Sequence, residues 1–320
     1  MLGVVLLAAS ACNSSGDGLA SRLAGEVVID LKKTDNRRLL SFYIGGMVGA
    51  EARDPFRAGV LREEKGDFFL HVDSLAKMAP ILNTDLRLIS ADGLVDWDEL
   101  EALVLTHYYA YRNVPATIDL LMAETGDWNN EGEWFRVDVN GVMSPHLRQI
   151  NVKLKDLYDA IRSYRENGDH LIYPVGTIFI SEHLDADHRV ELSVMRKRHD
   201  GFWDFFAYNE NGFLASALTR HPKNLDVPTK CIGCHFGTRL FEPERSFPSK
   251  PQPGPDGPRA LYFDYPPPGR ELIRSLDEHR KRSDLVLGLY GTLMLAKLRN
   301  LKQEGSLGEE EADVLGSIGF

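Results

Sequence analysis

The chain has 320 residues, of which 43% are hydrophobic and 26% charged, a composition typical of a globular protein with a sizeable core. Its formal net charge of −10 argues against a nucleic-acid partner, because there is no excess of basic side chains to neutralise phosphates. No apolar run reaches the roughly 18 residues that cross a bilayer, so membrane attachment is expected only through a lipid anchor.

Residues 1–19 have the composition of an export signal and a tether. The apolar run GVVLLAA at residues 3–9 leads through small residues to Cys12 and then to the polar stretch NSSGDG. A cysteine at this point resembles the lipobox of bacterial lipoproteins, in which that cysteine is lipidated and becomes the mature N-terminus. The sequence therefore predicts a periplasmic or outer-membrane-anchored lipoprotein attached through Cys12. A flexible terminus with a chance cysteine is the alternative.

Residues 20–148 are expected to form a mostly helical region that contains one calcium-loop-like stretch. Gly93 falls at the turn position of an EF-hand loop, and four side chains fall at its ligand positions, namely Ser90, Asp92, Asp96 and Glu99. Leu88 stands at the first position, where the loop requires a carboxylate. The same residues match a helix N-terminus with Asp96 as N-cap and Glu99 three residues later. The helix start is the favoured interpretation, and calcium binding is the alternative.

Residues 149–246 are predicted to form a sheet-rich domain that begins with a helix. Residues 154–165 (LKDLYDAIRSYR) have helical periodicity, which stops at Asn167–Gly168. Three strand-like segments follow at 173–184, 188–198 and 202–208, and the turn signal Asn209–Gly212 ends the last of them. One helix followed by three short strands predicts an antiparallel sheet.

Two of the three cysteines follow this predicted sheet, in the stretch KCIGCHFG at residues 230–237. C-x-x-C-H is the attachment signature of c-type haem. Two intervening residues let one helical turn present the thiols of Cys231 and Cys234 to one porphyrin edge, where each forms a thioether with a vinyl group. His235 is then carried beneath the iron as its proximal ligand. The sequence therefore predicts one covalent haem c held by these three residues.

A redox dithiol and half of a zinc site are the alternatives for the cysteine pair. A redox pair is typical of a thioredoxin-like βαβ unit, which the order of predicted elements does not suggest. A zinc site needs further Cys or His ligands at close spacing. If Cys12 is lipidated, the exported chain keeps an even pair of thiols, and this favours haem attachment through both.

The order of sheet and motif resembles the cytochrome P-460 and cytochrome c′-beta family of small periplasmic haem c proteins. The resemblance covers residues 151–237 and is carried by YPVGT at 173–177, VMRK at 194–197, FWDFF at 202–206 and CIGCH at 231–235. It implies a mainly antiparallel sheet, a haem with His235 as its sole protein ligand, and either binding of small gases such as nitric oxide or oxidation of hydroxylamine. In the hydroxylamine-oxidising members a lysine is also cross-linked to the porphyrin, and Lys197 is the candidate by position.

Strand alternation argues against that cross-link. With a period of two, Lys197 shares a strand face with Met195, opposite the apolar Leu192 and Val194. If the apolar face lines the haem pocket, Lys197 is predicted to point to solvent. The aromatic neighbours of the haem are predicted to be Phe179, Trp203 and Phe205.

Residues 247–320 extend beyond the length typical of that family. The stretch 247–268 is proline-rich and is expected to be a linker or a wrapping loop, and residues 269–301 have helical composition. Met294 lies in this helix and is a candidate distal ligand, although a methionine among apolar residues is more often part of the core. Four histidines are expected at the surface or in caps, namely His183, His188, His199 and His221.

The chain is therefore expected to have an α+β fold: an antiparallel sheet haem c domain with a helical N-terminal segment and a helical C-terminal extension. The expected function is that of an exported monohaem c-type cytochrome. It would transfer electrons to a redox partner protein or bind small nitrogen-oxide or other gaseous ligands. A hydroxylamine-oxidising enzyme of the cytochrome P-460 type is the alternative, and a binding protein with a structural haem is a third possibility.

Overall fold

The computed structural model describes residues 22–30, 36–47, 54–140, 146–167, 171–186, 188–220, 224–229, 231 and 276–320. Over these ranges the chain combines α-helices with a mixed four-stranded sheet, an antiparallel six-stranded sheet and a two-stranded hairpin, so the predicted α+β class is confirmed. Across the same ranges, no helix is both long enough and apolar enough to cross a membrane.

The N-terminal part is built on a four-stranded sheet that was not predicted. Its strands are β1 (Glu26–Asp30), β2 (Leu61–Glu64), β3 (Asp67–His71) and β4 (Leu94–Asp96), in the spatial order β2-β3-β1-β4. Strand β1 pairs antiparallel with β3 and parallel with β4. Strands of three to five residues carry too little alternation to stand out in a sequence.

The predicted helices of this part are present around that sheet. They are α1 (Asn36–Gly45), α2 (Val72–Met78), α3 (Asn83–Ile89), α4 (Trp97–Thr106), α5 (Tyr108–Tyr111) and α6 (Ile118–Thr125), with a 3₁₀ turn at Pro80–Leu82. The short helices α5 and α6 connect the four-stranded sheet to the six-stranded sheet, and α6 packs on the outer side of the latter.

The stretch that matches a calcium loop forms a turn and a helix start. Asp96 has an extended backbone, and its carboxylate accepts a hydrogen bond from the Asp98 N–H at 2.8 Å, so the predicted N-cap of α4 is confirmed. Asp92 accepts from the Leu94 N–H at 3.1 Å and closes the turn at Gly93. The described residues contain no group of three or more Asp, Glu, His or Cys side chains arranged to hold a metal, which gives calcium no support.

A six-stranded antiparallel meander forms the centre of the molecule. Its strands are β5 (Trp134–Asn140), β6 (Leu147–Lys153), β7 (Ile178–Asp185), β8 (His188–Lys197), β9 (Trp203–Tyr208) and β10 (Leu214–Ala215), in the order β10-β9-β8-β7-β6-β5. Helix α7 (Leu154–Arg162) connects β6 to β7. The three predicted strands are present as β7, β8 and β9. The sheet also takes in β5, which lies before the predicted boundary at residue 149.

The chain leaves this sheet through a short hairpin that leads to the cysteine motif. The hairpin is made of β11 (Ala217–Leu218) and β12 (Leu225–Asp226), and Cys231 follows five residues after its end. The C-terminal part contains α8 (Leu276–Glu304) and α9 (Glu309–Ser317), as the predicted helical extension requires. Arg162 of α7 donates to Asp313 of α9 at 3.0 Å and ties the C-terminus to the sheet domain.

Both faces of the six-stranded sheet are buried. We call the inner face the side that carries Phe179, Met195, Trp203 and Phe205, which pack in a large core shared with the N-terminal sheet and helix α8. The outer face carries a second cluster and is covered by α6 and Trp128. Its members include Ile178, Ile180, Leu192, Val194 and Phe206. A strand with apolar residues on both sides cannot be assigned a pocket face from its alternation alone.

Two buried arginines join the N-terminal part to the sheet. Arg112 Nη2 donates to the carbonyls of Phe42 at 3.0 Å and Tyr43 at 3.2 Å, and Arg198 Nη1 donates to that of Phe42 at 2.9 Å. These carbonyls belong to the last turn of α1, where a cation is favoured by the helix dipole. Asp204 lies 3.4 Å from Arg112 Nε and offsets part of the buried positive charge.

Candidate functional site

Cys231 is the one residue of the C-x-x-C-H motif within the described ranges, and Cys234 and His235 lie outside them. It packs against the large core that includes the inner face. Its thiol is close enough to Tyr109 to raise the pKa of that phenol, although burial of the phenol contributes more. The Tyr109 hydroxyl donates to the carbonyl of Ala215 in β10 at 2.5 Å, so the Tyr109 phenol lies at the β10 edge of the sheet.

A second tyrosine supports the segment that leads to the motif. Tyr43 donates to Glu101 Oε1 at 3.1 Å, and the side chain of Thr229 also hydrogen-bonds to the Tyr43 phenol. Burial holds the pKa of Tyr43 well above its ordinary value, so the hydroxyl stays protonated. The start of the motif is therefore held by helices α1 and α4 as well as by the sheet.

The environment of the Cys231 thiol argues against the redox-dithiol alternative. Desolvation raises the pKa of the Cys231 thiol to about 12. A thiol that attacks disulfides has a lowered pKa, which comes from nearby cations or a helix N-terminus. An apolar setting of this kind suits a sulfur that becomes part of a neutral thioether.

Small side chains cross the middle of the inner face in one row. Ser181, Ser193, Ala207 and Ala215 are register partners on four consecutive strands, β7 to β10. The row ends at Ala215, whose carbonyl accepts a hydrogen bond from Tyr109. Ser181 and Ser193 keep partial exposure although they lie on central strands, and the Ser181 hydroxyl is shielded and has no partner among the described residues. The row is therefore lined by small side chains, of which Ala207 is completely buried.

Large apolar side chains form the next row along the strands. Val152, Phe179, Met195 and Phe205 are register partners on β6 to β9. The rings of Phe179 and Trp203 lie 5.8 Å apart in an edge-to-face arrangement. The three predicted aromatic neighbours of the haem thus all lie on the inner face, on the same side as Cys231.

The predicted orientation of Lys197 is wrong. Lys197 is only 5% exposed, and its Nζ lies 5.0 Å from the centre of the Trp203 ring, on the inner face. The prediction assumed that Leu192 and Val194 line the pocket, whereas they pack on the outer face. Lys197 therefore points into the core side that also contains Cys231.

A third row on the inner face is polar. Arg148, His183 and Glu191 are register partners on β6, β7 and β8. His183 is 2% exposed, with Nε2 at 3.2 Å from Ser193 Oγ, so the expectation of a surface or capping histidine is wrong for this residue. Glu191 is 3% exposed, and its Oε2 has no hydrogen-bond partner in the described part of the chain.

The other oxygen of Glu191 holds the segment that follows β11. Glu191 Oε1 accepts from the Thr219 N–H at 2.5 Å, from Thr219 Oγ1 at 2.9 Å and from the Arg220 N–H at 3.1 Å. This buried carboxylate therefore fixes the hairpin that delivers Cys231 to the inner face.

Helix α8 packs against the inner face of the sheet. The ring of Tyr290 lies 5.1 Å from that of Phe179. Met294 is one turn further along α8 and is completely buried among core residues, which agrees with the favoured interpretation of this methionine as core. Of the other predicted histidines, His188 is exposed and His199 is partly buried, while His221 and the lipidation candidate Cys12 lie outside the described residues.

These surroundings fit a haem attached through cysteine. A haem packs flat against small side chains, with apolar side chains around it and polar side chains at its periphery. The small-residue row, the row from Val152 to Phe205 and the polar row supply these in turn on one face. Cys231 packs against the core that includes this face. The residues that sequence reasoning missed are Arg148, Ser181, Glu191 and Ser193, because only strand register brings them together.

The described residues form an α+β protein with a six-stranded antiparallel sheet, and Cys231 packs against the core on one side of that sheet. Comparison with protein-family models, with curated proteins and with solved structures gives no match. Function is therefore inferred from the motif and from the residues of the inner face.

Proposed function

We propose that the protein is an exported monohaem c-type cytochrome that binds haem covalently through Cys231 and Cys234, with His235 as the proximal iron ligand. The observation that carries this proposal is the C-x-x-C-H motif itself, and it is supported by the packing of its first cysteine, Cys231, against the core that includes the inner face. The bound haem would supply one-electron chemistry and an iron site for small ligands.

The residues of the inner face favour binding of small ligands over simple electron transfer. The aromatic residues Phe179, Trp203 and Phe205 have no atoms that ligate iron strongly. Of the inner-face residues that could ligate iron, His183 contacts Ser193 Oγ through Nε2 at 3.2 Å, Lys197 lies over the Trp203 ring, and Met195, like Met294 of helix α8, is buried in the core. Apolar walls exclude water, which favours a small neutral ligand over an anion. The proposal is therefore a five-coordinate haem that binds nitric oxide, carbon monoxide or a related molecule.

The ferrous protein is expected to be high-spin and to bind carbon monoxide without first releasing a protein ligand. The measurement is the optical spectrum of the reduced protein, followed by the concentration dependence of carbon monoxide binding after rapid mixing. Met294→Leu is the matched control, because this swap keeps volume and costs little stability. Both proteins should give the same high-spin spectrum, with rates that rise linearly with carbon monoxide concentration.

Two outcomes would contradict this expectation in different ways. A low-spin spectrum with a sulfur-to-iron charge-transfer band, lost in Met294→Leu, would make Met294 the distal ligand and favour electron transfer. A strongly red-shifted spectrum that Lys197→Met returns to that of an ordinary haem c would favour the hydroxylamine-oxidising enzyme. The buried position of Lys197 on the inner face gives that second function a specific observation in its favour.

The export proposal predicts that Cys12→Ser releases the protein from membranes. Lipidation at Cys12 would anchor the chain, because acyl chains give stable membrane attachment when more than one is present. The wild type should fractionate with membranes, and the Cys12→Ser protein should appear in the soluble periplasmic fraction with its haem. Identical fractionation of the two proteins as soluble material would refute the lipid anchor and leave haem binding untouched.

A further inference from the structure

We propose that Tyr43 is a redox-active tyrosine, which supplies one electron when a peroxide is reduced at the bound haem and transfers its phenolic proton to Glu101. This inference rests on the proposed function, and it names peroxides as one class of small neutral molecule that reacts there. It follows from the hydrogen bonds of the Tyr43 hydroxyl, from the burial of its ring and from its link to the segment that precedes Cys231.

The Tyr43 hydroxyl lies between a carboxylate and the start of the cysteine motif. It donates to Glu101 Oε1 at 3.1 Å, and the side chain of Thr229 hydrogen-bonds to the same phenol. Thr229 precedes Cys231 by two residues, and both have helical backbone. Two residues of helix advance by only about 3 Å along the axis. In the proposed cytochrome, Tyr43 is therefore one hydrogen bond and two residues from the point at which the haem is attached.

Burial determines how Tyr43 can lose an electron. Tyr43 is 1% exposed, and burial together with the nearby Glu101 carboxylate holds the pKa of its phenol well above the ordinary value. The phenolate is therefore not formed at physiological pH. A phenol that lost only an electron would become a buried cation, which is costly without a partner. Loss of the electron together with the proton leaves a neutral ring, and Glu101 is the base within hydrogen-bond reach.

The surroundings of Tyr43 suit both products of this step. Glu101 lies in helix α4 and is partly exposed, so a carboxyl group formed there can release its proton to water. The rings of Phe42 and Trp97 lie 5.3 Å and 6.2 Å from the Tyr43 ring, and both residues are 1% exposed. These two rings shield the oxidised tyrosine from solvent, and a neutral ring has no charge to desolvate.

Tyr43 supplies one of the two electrons that a peroxide requires. Hydrogen peroxide takes up two electrons, and two protons from solvent, and leaves as two molecules of water. Tyr43 gives one electron as its O–H bond breaks, and the proton passes to Glu101 Oε1. The second electron comes from the bound haem. One haem and one tyrosine together thus complete the two-electron reduction.

The test adds hydrogen peroxide to the ferric haem protein, freezes the mixture within seconds and records its EPR spectrum. The wild type should give a tyrosyl radical signal, which ring-deuterated tyrosine should narrow. Tyr43→Phe should remove this signal, while the covalent haem and its optical spectrum before the addition of peroxide stay as in the wild type. Glu101→Gln keeps a hydrogen-bond acceptor but provides no base, so the radical should form more slowly and in lower yield.

Tyr158→Phe and Glu99→Gln are the matched controls. Tyr158 is another buried tyrosine that hydrogen-bonds to a carboxylate, but its partner is Glu311 of helix α9. Glu99 is an exposed carboxylate in the same helix as Glu101. Both variants should give the wild-type signal at the wild-type rate.

A tyrosyl signal in Tyr43→Phe equal to that of the wild type would refute the inference. A wild type that carries covalent haem and gives no tyrosyl signal would refute it as well, and either result leaves the haem proposal standing. Unchanged rate and yield in Glu101→Gln also count against it, including the case in which Tyr43→Phe does not fold. Absence of covalent haem from the wild type itself would instead refute the proposed function.

Discussion

Replacing Cys231 and Cys234 together by alanine is expected to leave the protein without covalent haem. The chain has three cysteines, and only these two have the spacing that presents both sulfurs to one porphyrin edge. After extraction with acidified acetone, the wild type should retain one haem per chain in the protein pellet, whereas the double variant should retain none. The pyridine haemochrome spectrum of the pellet is the direct measurement.

Single variants and Cys12→Ser make this experiment specific. Cys231→Ala leaves one thiol, so its haem should have one unsaturated vinyl group and a haemochrome band between those of haem b and haem c. Cys12→Ser removes the remaining cysteine and should keep the full haem content. Loss of all haem from the wild type during extraction would refute the covalent attachment. It would also remove the basis for the small-ligand function.

Gly46→Ala is expected to lower the free energy of unfolding by about 3–5 kcal/mol, the range seen when a buried ionic network is broken. A Cβ at Gly46 would lie 0.9 Å from Arg112 Nη1 and 2.0 Å from its Cζ. The guanidinium would have to leave the carbonyls of Phe42 and Tyr43, to which it now donates. Because Arg112 is 6% exposed, the displaced charge has no direct route to water.

Gly316→Ala is the matched control for this stability prediction. Gly316 lies in helix α9, and a Cβ there would meet nothing within 4 Å. Alanine should be neutral or stabilising by up to about 1 kcal/mol, because it is the better helix former. Urea unfolding followed by circular dichroism gives both values under the same conditions. Equal urea midpoints for Gly46→Ala and the wild type would contradict the prediction, because they would show that the Arg112 hydrogen bonds do not require the space at Gly46.

The elements that could be predicted from the sequence are those with strong local patterns. The three central strands carry many β-branched and aromatic residues, and the turn at Asn209–Gly212 has its own hydrogen bonds, with Asn209 Oδ1 accepting from the Asn211 and Phe213 N–H groups. The α4 start at Asp96 was predicted for the same reason, since capping depends on neighbouring residues. The short strands β1 to β4 lack such patterns and were missed.

The sequence could not predict which side chains lie on the inner face of the sheet, and Lys197 shows the physical reason. Strand β8 is covered on both sides, so an apolar face is no evidence for a pocket. Which face receives the cysteine motif depends on where α6 and α8 pack, and no local pattern encodes that. In the same way, Arg148 and Glu191 are 43 positions apart and meet in one row only because β6, β7 and β8 pair in register.

Helix α8 also has a consequence for the order of assembly. Chains emerge from the ribosome or an export channel with the N-terminus first, so all six strands and Cys231 are available before Tyr290, which follows Cys231 by 59 residues. The six strands can therefore pair before helix α8, which covers their inner face, has been synthesised or exported. In the proposed cytochrome, the haem would be attached during this interval, before helix α8 docks on the sheet. Because helix α8 comes late in the chain, the inner face of the sheet would be accessible during synthesis or export and covered in the finished fold.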